Sequence, residues 1–171
     1  MCIRDSLKEL LEEWERETPR ADPQEVELSA EDIEALIQGL AEGVIDCIAS
    51  DHAPHLGDEK ALEFDQAPFG VIGLETILPV ALTELYHKRG WKPTDVIERL
   101  TAAPARILNI EAGSLSTGMP ANIVVIDPNA EFTVSPDMFH SLSDNSAFIG
   151  STLKGRAVMT VRRGSIAAQI A

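Results

Sequence analysis

The densest chemistry in the 171 residues is the string Asp51-His52-Ala53-Pro54-His55. It follows residues 44–50, a short and mostly apolar run that reads as a buried strand. In parallel α/β sheets and barrels, the residues just past a strand's C-terminal end face the active site. A carboxylate at Asp51 can ligate a hard or borderline metal there and exchange a proton with metal-bound water. Pro54 stiffens the turn, and His55 offers a donor for an anionic substrate group. The same residues also suit plainer roles. An aspartate after a strand serves as a helix cap or turn former. His52 and His55, at i and i+3, suit surface or hydrogen-bonding positions. Asp58 and Glu59 add oxygen donors, but zinc takes three or four protein ligands and the spacing is not a familiar zinc pattern. Downstream, Gly70 and Gly73 either let backbone N–H groups approach a ligand or simply turn the chain. His87 and His140 stand apart from the cluster, and Cys47 reads as a small packing residue.

The elements that must position this string follow from periodicity. Leu7, Leu10, Leu11 and Trp14 give residues 7–17 the apolar stripe of a short amphipathic helix, and residues 18–28, with Pro19 and Pro23, read as a linker. Ser29 and Asp32 form a helix start, followed by an apolar face of Ile33, Leu36, Ile37 and Leu40 and a stop near Gly43. Residues 56–73 read as a loop. A longer helix follows, with Leu74, Ile77, Leu78, Ala81, Leu82 and Leu85 on its buried side and Pro79 in its first turn. Thr94 is placed to cap a helix through Leu100, and 104–108 suggests one more turn. Beyond Gly113, residues 123–126, 132–134 and 156–161 are strand-like, and Arg163-Gly164 is a hairpin turn before Ile166.

Composition limits the function classes. The formal net charge is −14, from 28 acidic and 14 basic side chains. Nucleic acid as the main partner needs a basic face, and an anionic membrane surface needs one too, so both are disfavoured. No apolar run is long enough to span a bilayer, and the two cysteines form no disulfide framework. The expected location is the cytoplasm, with both thiols reduced.

Several motifs in order carry a resemblance. Ser50-Asp51-His52-Ala53-Pro54-His55, Glu59-Lys60, Ala67-Pro68-Phe69-Gly70 and Gly73-Leu74-Glu75-Thr76 with Leu78-Pro79 are similar to the dihydroorotase family. Pro104-Ala105-Arg106-Ile107-Leu108, the stretch from Gly118 to Asp127, Asn145 with Phe148 and Gly150, and Leu153-Lys154-Gly155-Arg156 continue the match. The resemblance covers roughly residues 29–170. Dihydropyrimidinases and allantoinases share the aspartate and the histidine after it, but usually lack the full Asp-His-Ala-Pro-His string.

The resemblance implies an α/β fold: the C-terminal part of a (β/α)8 barrel over residues 29–112, then part of a small β-sandwich over 113–171. Residues 1–28 fall outside it as an acidic helix and linker of foreign character. It implies zinc-dependent, reversible hydrolysis of dihydroorotate to N-carbamoyl-L-aspartate in pyrimidine biosynthesis. Asp51 matches the aspartate that is both metal ligand and general acid/base, His55 the histidine that binds the substrate carboxylate, and Phe69 and Gly70 the loop pair that contacts substrate through the backbone. The family takes most of its metal ligands from earlier in the chain, including a His-x-His pair absent from this sequence, so a fragment inactive by itself is expected. Two alternatives remain: a non-catalytic dihydroorotase-like scaffold partner of aspartate carbamoyltransferase, and a truncated hydantoinase- or allantoinase-type cyclic amidohydrolase. Part of a barrel would leave an edge strand at 44–50 without neighbours, which predicts poor solubility or a homo-oligomer that covers it.

Overall fold

The computed structural model describes residues 29–170, so the helix expected over 7–17 and the linker after it lie outside the described residues. The described chain divides between Ile45 and Asp46 into two compact units.

The first unit contains helix α1, Ala30–Glu42. Its start is set by a reciprocal capping box. The Asp32 backbone N–H donates to Ser29 Oγ at 3.1 Å, and the Ser29 backbone N–H donates to the Asp32 carboxylate at 3.0 Å. The Ser29 hydroxyl, which donates to the Asp32 carboxylate at 2.7 Å, and with it the Ser29 backbone N–H hold the Asp32 carboxyl below the usual carboxylate range. Its end is set by Gly43 in the left-handed conformation, where few other residues are unstrained. Of the predicted apolar face, Ile33 and Leu36 are exposed.

The second unit holds the core. Residues 44–50 form no strand. A strand is defined by its ladder, and this run has no strand beside it among the described residues. Its backbone bonds a helix end instead: the Ile48 N–H donates to the Arg99 carbonyl at 3.1 Å, and the Arg99 guanidinium donates to the Asp46 carbonyl at 3.2 Å. The edge expected there is therefore not a strand edge. Helix α2, Gly57–Lys60, is a single turn inside the predicted loop. Helix α3, Ile77–Ala81, carries Pro79 in its first turn and widens into a π-helical turn, Leu82–His87. Ala81, Leu82 and Leu85 are buried as expected, whereas Leu74 lies before the helix and is 64% exposed. Helix α4, Pro93–Leu100, begins one residue ahead of the predicted cap. Pro93 takes a first-turn position because its missing N–H has no partner there anyway, so Lys92 precedes the helix and Thr94 lies inside it. Helix α5 spans Ala102–Ile107.

Three antiparallel strands follow, β1 Ile123–Thr133, β2 Thr152–Arg162 and β3 Ser165–Gln169, in the order β1-β2-β3. The two predicted runs 123–126 and 132–134 are largely one strand, β1, interrupted by register shifts after Val125 and after Asp127. The second irregularity is pinned from the helix side: His87 Nε2 lies 2.7 Å from the Pro128 carbonyl. Arg163 and Gly164 both have positive φ, +50° and +83°, as a two-residue hairpin of matching twist requires. The π-helical turn packs on β2, where Thr83 Oγ1 accepts from the Lys154 N–H at 2.8 Å and donates to the Lys154 carbonyl at 3.3 Å. Ile72, Leu82, Val96, Val134 and Leu153 are buried in this core. The connection from β1 to β2 is long, and its residues Ser141 and Asn145 return to the loop that follows residue 50.

Candidate functional site

Asp51 opens the site. It is exposed, and its φ of +42° is unusual for a residue with a side chain. Aspartate tolerates this conformation better than most residues. No described residue hydrogen-bonds the Asp51 carboxylate, so it is open to solvent or ligand.

The two segments that frame the site touch backbone to backbone. The Ala53 N–H donates to the Val71 carbonyl at 3.0 Å. A Cβ on Gly70, which has φ +99°, would lie 2.6 Å from the Ala53 Cβ, and one on Gly73 would lie 2.8 Å from the Ser50 carbonyl oxygen. Only glycine allows these approaches. They place Gly70 directly against the residue midway between Asp51 and His55.

The loop carrying Phe69 and Gly70 is held from two sides. Lys60 Nζ donates to the Pro68 carbonyl at 2.8 Å and to the Gly70 carbonyl at 3.1 Å. Asn145 Nδ2 donates to the same Gly70 carbonyl at 3.1 Å, and the Ile72 N–H donates back to the Asn145 carbonyl at 2.9 Å. With that carbonyl occupied, the groups left for a ligand are the N–H groups of Phe69 and Gly70, which have no acceptor among the described residues. The Phe69 side chain is 86% exposed. His55 is half-buried, and its Nδ1 lies 3.9 Å from the Glu59 carboxylate, which also accepts from the Leu56 N–H at 3.1 Å.

His52, whose spacing suited an ordinary hydrogen-bonding histidine, makes more contacts with distant segments than any of these. Its Nδ1 lies 3.2 Å from the N–H groups of both Gly73 and Leu74. Its Nε2 faces Ser141 Oγ at 3.4 Å, and Ser141 Oγ donates to Glu75 at 3.0 Å. The other Glu75 oxygen accepts from the His140 N–H. The partners of His52, Lys60 and Asn145 lie up to 89 residues away in the chain, which local spacing cannot reveal. The only trace in the sequence is that Lys60, Glu75 and Asn145 belong to the ordered motifs quoted above.

The described residues do not by themselves make a metal site. No three His, Cys, Asp or Glu side chains among them are grouped as ligands, and Asp51 contributes a single carboxylate. Among the described residues no helix is long and apolar enough to cross a membrane.

Residues 8–167 match the model of the amidohydrolase family. The chain belongs to that family. It is 46% identical over 141 residues to a dihydroorotase from Endomicrobium trichonymphae, covering 82% of this chain and 33% of that protein. A dihydroorotase from Carboxydothermus hydrogenoformans is also 46% identical over 141 residues, with the same coverage. The chain thus spans about a third of the length of the curated relatives it matches. Among solved structures, an L-hydantoinase (dihydropyrimidinase) from Arthrobacter aurescens superposes with a TM-score of 0.77 at 32% identity, over 82% of this chain and 32% of that one. The inactive dihydroorotase-like domain of the Chaetomium thermophilum CAD-like multifunctional protein shares the fold, with a TM-score of 0.56 at 24% identity, over 81% of this chain and 36% of that one.

Proposed function

We propose that the protein is a dihydroorotase, interconverting dihydroorotate and N-carbamoyl-L-aspartate. The observation that carries this reading is the Asp51–His55 loop, with an open carboxylate at one end, a half-buried imidazole at the other, and Gly70 packed against the residue between them. The identity of 46% to two dihydroorotases supports it. In this reading residues 29–112 are the closing part of a (β/α)8 barrel, and 113–171 are part of a small β-sandwich that includes the three-stranded sheet.

Hydrolysis forms a bond from water oxygen to the ring carbonyl carbon and breaks the ring C–N bond. Asp51 accepts the proton released by the water and returns it to the departing nitrogen. His55, as a charged or neutral donor, holds the substrate carboxylate. The free N–H groups of Phe69 and Gly70 hydrogen-bond the substrate's own carbonyl or carboxylate oxygens. The metal is zinc in this reading, with Asp51 one of its ligands. The described residues bring no three such ligands together and Asp51 alone does not hold the ion, so these residues by themselves are not expected to turn over substrate.

The carboxylate separates this reading from a hydantoinase, because dihydroorotate carries one and dihydrouracil does not. Isotope-labelled protein titrated with each should show shifts at the Phe69 and Gly70 amides and the His55 ring with dihydroorotate. His55→Ala should abolish them. Equal responses to dihydrouracil would favour a hydantoinase, and no response to either would favour a non-catalytic role.

A further inference from the structure

We propose that His52 is a positioning residue, which holds Asp51 in its left-handed conformation through an imidazole protonated on Nε2 alone. The functional consequence rests on the dihydroorotase reading, but the geometry does not.

The proton assignment follows from the partners. Nδ1 faces two backbone N–H groups, which can only donate, so Nδ1 must accept and carries no proton. The ring proton is then on Nε2, which donates to Ser141 Oγ. The serine hydroxyl has one proton, and it goes to the Glu75 carboxylate at 3.0 Å. The second Glu75 oxygen is taken by the His140 N–H. Every donor in the chain has one acceptor, and no alternative tautomer satisfies it, because a proton on Nδ1 would face two N–H donors.

The reason the site needs this clamp is the backbone of Asp51. A φ of +42° costs an L-residue on the order of 1–2 kcal/mol relative to its ordinary regions and persists only where neighbours enforce it. The Asp51 side chain has no described partner, so it does not fix itself. The enforcing contacts are those of the next residues: His52 through its ring, and Ala53 through its N–H to Val71. His52 ties the carboxylate-bearing residue to the turn at 73–75 and, through Ser141 and Glu75, to the β1–β2 connection. Relaxation of Asp51 to an extended φ would redirect its side chain relative to His52 and Ala53.

Two substitutions separate the halves of the ring. His52→Asn keeps an acceptor at the position of Nδ1. His52→Gln keeps a donor at the position of Nε2 and loses the acceptor. The experiment is nuclear magnetic resonance on the full chain. Ring nitrogen shifts of the unsubstituted protein should report protonation at Nε2 only, and Asp51 should show the strong intraresidue HN–Hα contact of positive φ. Exchange of the Gly73 and Leu74 amides should quicken about tenfold in His52→Gln and stay near the parent value in His52→Asn. The positive-φ signature at Asp51 should be lost in His52→Gln and kept in His52→Asn. A proton found on Nδ1, or an Asp51 signature that survives His52→Gln, would overturn the proposal. The ring shifts need no variant, so a variant that fails to fold does not shield the proposal. None of these readouts involves substrate, so they stand or fall separately from the dihydroorotate titration.

Discussion

Replacing Gly70 with alanine should destabilise the protein by about 2–5 kcal/mol, and the origin of that loss can be divided. The added Cβ would lie 2.6 Å from the Ala53 Cβ, where carbons at optimal separation sit about 3.5–4.0 Å apart. One of the two segments must therefore retreat by roughly 1 Å, an overpacking cost of about 1–3 kcal/mol. The φ of +99° adds backbone strain of about 1–2 kcal/mol for any L-residue. At this chain length the melting midpoint should fall by roughly 5–15 °C. Gly118 supplies the control. Its φ is +93°, but nothing lies within 4 Å of its Cβ position, so Gly118→Ala carries the strain without the clash. The double variant Gly70→Ala with Ala53→Gly removes the clashing methyl and should recover part of the loss, giving a favourable coupling of about 1–3 kcal/mol in a double-mutant cycle. Urea titrations of the four proteins and the parent measure all the terms. If Gly70→Ala were no worse than Gly118→Ala, or the cycle closed with no coupling, the backbone-to-backbone seam between 50–55 and 70–73 would not have the tightness described.

Leu82, 1% exposed where the π-helical turn meets β2, should cost about 2–5 kcal/mol when cut to alanine, read from the urea midpoint. For Glu84, burial works to raise the carboxyl, but the hydrogen bond and charge of Lys88, joined by Arg89, outweigh it and hold the group below the usual carboxylate range. A carboxyl depressed in the folded state stabilises the fold above the ordinary carboxylate range, and that stabilisation is lost as pH falls through the folded value. Glu84→Gln should therefore be slightly less stable than the parent at neutral pH, the difference being small because the pair is solvent-exposed, and the two should converge in acid. Lys60→Met should free the Pro68 and Gly70 carbonyls on one side and speed amide exchange across 69–72, while Asn145 keeps the Gly70 carbonyl partly held.

The features legible in the sequence were those whose causes are local. The capping box of Ser29 and Asp32, the stop at Gly43, Pro79 in a first turn and the Arg163-Gly164 hairpin each need only a few adjacent residues. Residues 44–50 misled because an apolar run shows burial tendency, whereas a strand requires a neighbour that the run itself cannot specify. Thr94 misled because its capping chemistry competes with Pro93, which suits the first turn better. At the site, Asp51 and His55 are candidates on their chemistry alone. The role of His52 is not legible in this way, since it is decided by Gly73, Leu74 and Ser141, and a histidine beside an aspartate looks the same with or without them.

The placement of Ser141 and Asn145 has a consequence for the order in which the molecule assembles. The β2–β3 hairpin closes over two residues, with its turn conformation favoured by Gly164, so it requires little loop entropy. The β1–β2 ladder must close the long connection between Thr133 and Thr152, and Thr83 must find Lys154 across 71 residues. Contacts at such separations cost more loop entropy and slow folding. Ser141 and Asn145 sit within that connection, 89 residues from His52 and 75 from Gly70, so the clamp on His52 and the hold on Gly70 close far larger loops than the hairpin does. The loop that carries Asp51 and His55 thus depends on partners far along the chain, and a nascent chain carries the residues of the candidate site well before it carries all of their partners.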